Sequence, residues 1–106
     1  MEMRVSGKTP TLSLAGAICG AIESQVDSNE SVHVSLLCLG SASVNQAVKA
    51  IASAGSMLDK KKYGKIITVP YFETMKSSTN PYDSLSRIRI NLTTIRLADK
   101  GREVEA

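Results

Sequence analysis

The chain has no tryptophan, one phenylalanine, three tyrosines, one histidine, two cysteines and three prolines in 106 residues. Its aromatics, Tyr63, Tyr71, Phe72 and Tyr82, are too few and too scattered for a sheet that reads bases by stacking them, so an aromatic RNA-recognition sheet is excluded. A Cys/His zinc site would have at most Cys19, Cys38 and His33 as ligands. His33 and Cys38 lie five apart on one strand and face opposite sides, so no metal is expected, and no other cofactor. Both cysteines sit in apolar runs, the setting of buried free thiols in a reducing compartment rather than of a disulfide framework. No apolar run approaches the roughly 20 residues of a membrane helix. The longest, Leu12 to Ile22, is interrupted by Gly16 and Gly20, and it is preceded by Pro10 rather than by the basic segment of a signal peptide. A cytoplasmic location is therefore expected, with nucleoid-associated or nuclear as the alternatives. There is no G-x-S-x-G, no Cys–His pairing and no close pair of carboxylates, so nothing argues for an enzyme.

What is present is enough for one folded domain. Apolar residues make up 42 % and charged residues 22 %, which excludes disorder and fibrous repeats. Met3–Gly7 reads as a first strand. Thr9-Pro10 reads as a helix start, with Thr as cap and Pro in the first helical position. Leu14, Ile18, Ile22 and Val26 recur every four residues and predict an amphipathic helix of about four turns. Val32 to Leu39 predicts a largely covered strand that Gly40 breaks. Ser43-Val44-Asn45-Gln46 has the form of a capping box, and Val44, Ala47/Val48, Ile51 and Leu58 make a second helical stripe weakened by Gly55. Lys65–Thr74 and Leu85–Leu97 predict a long final hairpin around a polar tip, Met75–Ser84.

The order β-α-β-α-β-β implies a two-layer α/β sandwich, with both helices on one face of a four-stranded mixed sheet and the other face partly open. Residues 1–97 form the single domain and 98–106 a polar tail. An open apolar face at this size usually meets a second copy.

The net charge is +3, and it is unevenly placed. Residues 49–96 hold nine basic groups against three acidic ones, whereas residues 1–48 hold two against four. Gly7-Lys8-Thr9 has the form of the end of a P-loop, but position 2, where the loop needs its first glycine, is Glu2, and Pro10 removes an N–H. What survives is a lysine beside a helix start, either solvated or holding an anion. Lys60-Lys61-Lys62 either complements a helix dipole or touches phosphates. Arg87 and Arg89 alternate with core residues on the last strand, with Lys76 near the tip. They either protect an exposed sheet face or line an arm that follows a nucleic-acid groove. A regulatory protein–protein module without nucleic-acid binding is the alternative from another class.

Val5-Ser6, Lys8, Leu14-Ala15-Gly16-Ala17, Gly40 and above all Asn45-Gln46-Ala47-Val48-Lys49-Ala50-Ile51-Ala52, with Pro70 inside Ile66–Phe72, resemble the stage V sporulation protein S (SpoVS) family. That family is similar to Alba, the archaeal chromatin protein. The resemblance covers roughly residues 3–97. It implies the same fold, a homodimer, and binding to DNA or RNA with little sequence preference, in a protein tied to sporulation or developmental control. It also implies roles for residues: Lys8 in the first loop, Asn45, Gln46 and Lys49 at the start of the second helix, and Lys76, Arg87 and Arg89 on the arm. Alba proteins tend to carry paired lysines in the first loop and a basic residue before the second helix. Here Lys8 is alone, and Gly40-Ser41-Ala42-Ser43 has no basic residue.

Overall fold

A computed structural model describes residues 1–76 and 84–95, the side chains of Lys76, Ser84 and Leu85 excepted. The elements are β1 (Glu2–Val5), α1 (Thr11–Asp27), β2 (Val34–Cys38), α2 (Ser41–Lys60), β3 (Lys65–Lys76) and β4 (Ser84–Ile95). The sheet order is β1-β2-β4-β3. The first crossover sets β1 parallel to β2, as expected. The second does not pair its strands: β4 inserts antiparallel between β2 and β3, so α2 delivers β3 to the far edge. The expected tail 98–106 and most of the expected hairpin tip lie outside the described residues.

Register and burial separate the two sheet faces. Val5, Val34, Leu36, Cys38, Ile90 and Leu92 are buried toward the helices, with Met3, Ile66 and Ile88 packed beside them. Alternation then puts Glu2, Arg4, Ser35, Leu37, Arg87, Arg89 and Asn91 on the opposite face. The expected split of the last strand, Ile88/Ile90/Leu92 against Arg87/Arg89/Asn91, is the observed one.

Helix α1 buries Leu14, Ile18 and Ile22, the four-residue stripe, together with Ala15, Cys19 and Ala21. Each fully buried isoleucine contributes about 1.5–3 kcal/mol of burial. Helix α2 departs from its expected stripe. It buries Ser43, Ala47, Ala50, Ala54 and Leu58, while Val48 is 55 % exposed and Val44 and Ile51 are half-buried. The buried side is alanine because α1 lies against it, close enough for the Cys19 thiol to donate to the Ala54 carbonyl at 3.6 Å. Gly55 does not end the helix, which continues to Lys60.

Both helix starts differ from expectation. Pro10 is the N-cap residue of α1 rather than its first helical residue, and the Thr9 hydroxyl accepts from the Ser6 N–H at 2.8 Å instead of capping. The capping box of α2 does not form. Gly40, at φ 90°, turns the chain so that the helix starts at Ser41, which leaves Ser43 inside it. The Ser43 hydroxyl turns back on the Leu39 and Gly40 carbonyls at 2.9 and 2.7 Å.

Ala54 is fully buried at the contact between the helices. Ala54→Leu is expected to cost about 1–3 kcal/mol by overpacking. Thermal unfolding followed by circular dichroism should show a melting temperature lower by roughly 4–8 °C for each kcal/mol lost.

Candidate nucleic-acid interface

The loop between β1 and α1 is wound tightly on itself. Thr9 N–H donates to the Ser6 carbonyl at 3.1 Å, and Lys8 N–H donates to the Ser6 hydroxyl at 3.1 Å. Lys8 is left exposed at the tip. The loop presses on the first turn of α2: a Cβ on Gly7 would lie 2.8 Å from the Ala42 Cβ. The Gln46 amide donates to the Thr9 carbonyl at 2.8 Å and ties loop and helix together. Asn45 and Lys49, one turn apart, are exposed on the same stretch of helix.

Four of the seven candidate residues, Lys8, Asn45, Gln46 and Lys49, are thus brought to one end of the molecule. Gln46 is half-buried there and acts as a strut. Both helices start at this end, neither has an acidic residue in its first turn, and neither has a side-chain cap. Their free N–H groups and positive dipole ends favour an anion.

The other candidates lie elsewhere. Lys76 is the last residue of β3, opposite Ser84, and its side chain lies outside the described part. The lysine cluster 60–62 is at the far end of α2, about 30 Å from the loop at the helical rise per residue. There Lys61 pairs with Glu23 at 3.0 Å, which raises the lysine pKa. Tyr63 donates to Asp27 at 3.1 Å, and that bond pushes the phenol up. These contacts fasten the two helix ends to each other. Burial pushes both thiols, Cys19 and Cys38, above their ordinary value, as expected of inert core cysteines.

Arg87 and Arg89 lie on the open sheet face and are not free. Glu73 on β3 accepts from Arg87 Nε and, at 2.9 Å, from Arg89 Nε. Arg89 also reaches across β2 to Glu2 at 2.7 Å. These bonds raise the Arg89 pKa and hold the carboxyls of Glu73 and Glu2 below the usual carboxylate range. Beside them the Ser35 hydroxyl, buried under this network, donates to Asn91 Oδ1 at 2.7 Å. Arg4, which the sequence reading did not select, shares this face and makes no ion pair among the described residues.

A carboxylate whose pKa is depressed in the fold stabilises it above its unfolded pKa, and that contribution is lost as pH falls through the folded value. Unfolding free energy should therefore drop progressively below about pH 5. Glu73→Gln should flatten that drop in denaturant titrations across the acid range. An acid limb unchanged in the variant would remove the network from the stability of the fold.

A search of solved structures finds Alba from Thermoplasma volcanium, at TM-score 0.53 and 17 % identity, covering 88 % of this chain and 99 % of that one. At that identity the likeness concerns the fold: two helices on one face of a four-stranded mixed sheet. Among curated proteins, no sequence matches significantly. A family model for stage V sporulation protein S (SpoVS) matches residues 1–94, nearly all of the described chain, and the chain belongs to that family.

Proposed function

We propose that this protein is a non-enzymatic, cytoplasmic nucleic-acid-binding protein of low sequence specificity, acting as a homodimer in sporulation or developmental control. One observation supports it above the others. The Gly7–Ala42 contact and the Gln46–Thr9 hydrogen bond hold Lys8, Asn45 and Lys49 at the end where two uncapped helices begin. Phosphates there would meet lysine charge and free backbone donors, and binding would release counterions. Lys76 would extend the contact along the hairpin. Arg87 and Arg89, paired with Glu73 and Glu2, would contribute position rather than charge.

The second copy is assigned to the edge strand β3 and the groove beside it. A cavity of about 340 Å³ there is lined by Ile51, Gly55 and Ile66 among others. Phe72 is 79 % exposed and Val69 52 % exposed on the same strand. Pro70 removes a backbone donor from this edge, which disfavours open-ended strand pairing and leaves side-chain packing as the means of association. The same apolar edge is what favours a protein-interaction module as the second reading.

Fluorescence anisotropy of duplex DNA and of single-stranded RNA, at about 50 and 200 mM salt, tests the first reading. Binding should weaken steeply with salt, and the preferred strand identifies the polymer. Lys8→Ala should weaken all sequences alike and lower the salt slope by about one unit. No binding to either polymer at low salt would leave the protein-interaction reading. In sedimentation velocity the wild type should run as a dimer and Phe72→Ser as a monomer; a monomeric wild type would reject the β3 interface.

A further inference from the structure

Among the described residues, the arginines and glutamates of the open sheet face do not balance. Its described residues include three arginines, Arg4, Arg87 and Arg89, and two glutamates, Glu2 and Glu73. Both glutamates are engaged by Arg87 and Arg89. Glu2, two residues before Arg4 on the same strand, is drawn across β2 to Arg89, and the surplus positive charge rests with Arg4. Arg4 is paired in register with Leu37.

Beside Arg4 opens a cleft of about 320 Å³, lined by Arg4, Val5, Leu37, Leu39, Met75 and Arg87. No carboxylate among the described residues lines it. Leu39 is 56 % exposed, although it continues the core strand β2. It is held so, because Gly40 at φ 90° turns the chain away and the Ser43 hydroxyl fixes the Leu39 carbonyl at 2.9 Å. The cleft therefore combines two guanidinium groups with leucine and methionine side chains at the limit of the size usual for small-molecule sites, about 300–1,000 Å³.

We propose that this cleft binds a small organic anion, its charged group paired with Arg4, with the Glu73-bound Arg87 beside it, and its apolar body resting on Leu37, Leu39 and Met75. A phosphodiester backbone would satisfy the arginines and leave the leucines in water. A neutral apolar molecule would leave Arg4 without a partner. A carboxylate or a phosphate monoester carried on a short apolar body satisfies both. The cleft lies at the end of β1 and β2, and its lining stops short of the loop that carries Lys8.

The test titrates the full chain, labelled with ¹⁵N, with hexanoate, phenyl phosphate, inorganic phosphate and hexanol. Saturable shifts centred on Arg4, Leu37, Leu39, Met75 and Arg87 are expected with hexanoate or phenyl phosphate, and whichever binds tighter identifies the head group. Inorganic phosphate and hexanol should bind at least about tenfold more weakly, because each keeps only half of the interaction. Arg4→Gln should weaken the organic anion by about tenfold or more, as loss of a charge-assisted hydrogen bond does. Leu39→Ser should weaken hexanoate but not inorganic phosphate. Both positions are exposed, so both variants should keep the wild-type spectrum elsewhere. The proposal is overturned by the absence of saturable shifts with both organic anions, by equal binding of inorganic phosphate, or by Arg4→Gln binding as the wild type does. Shifts confined to Lys8 and Lys49 would equally reject it and would support the phosphate-binding loop instead.

Discussion

The close approach of α1 to α2 governs the rest of this molecule. Ala15 and Cys19 on one helix and Ala47, Ala50 and Ala54 on the other are almost fully buried, and the Cys19 thiol reaches the Ala54 carbonyl. Only small side chains allow that separation. Because the helices lie side by side on one sheet face, both begin at the same end, where β1 and β2 finish. The loop after β1 then has α2 as its floor, and Gly7 is needed because Ala42 occupies the space a Cβ would take. The basic loop, the two free helix starts and the Gln46 strut are consequences of one packing arrangement.

Charge pairing divides the molecule into regions of different character. At the far end of the helices, Lys61–Glu23 and Tyr63–Asp27 join the two helix ends. On the open face, Glu73 and Glu2 absorb Arg87 and Arg89. At the loop end, Lys8 and Lys49 face solvent with no acidic residue in either first helical turn. A net charge of +3 would by itself say little about where a polyanion binds. The positions of the carboxylates say more, because they quench Arg87 and Arg89 on the sheet and leave the lysines of the loop.

Some of this was legible in the chain and some was not, for physical reasons. The period of α1 stands out because Leu14, Ile18 and Ile22 contrast in size with the alanines and glycines between them. The buried side of α2 is hidden because most of its residues are alanines, while the larger Ile51 lines the groove beside β3, Val44 lines a hollow with Phe72, and Val48 is exposed. Ser43 and Gln46 match a capping pattern, yet the positive φ of Gly40 starts the helix three residues earlier, so both side chains find other partners. Lys8, Asn45, Gln46 and Lys49 could be grouped through the family resemblance. The neutralisation of Arg87 and Arg89 could not, since Glu73 meets them only through the β3–β4 register. Arg4 was missed for a related reason: its lack of an ion-pair partner among the described residues depends on Glu2 crossing β2 to Arg89, a contact 87 residues long in sequence.

The central claim is that the end built by the first loop and the start of α2 meets a phosphate backbone. The most direct measurement is amide chemical-shift mapping of the labelled protein during titration with a short oligonucleotide. The largest perturbations should fall on residues 6–9 and 40–49, with smaller ones near Lys76 and little change along residues 65–72 of β3. Perturbations concentrated on β3, or none at saturating oligonucleotide, would contradict it.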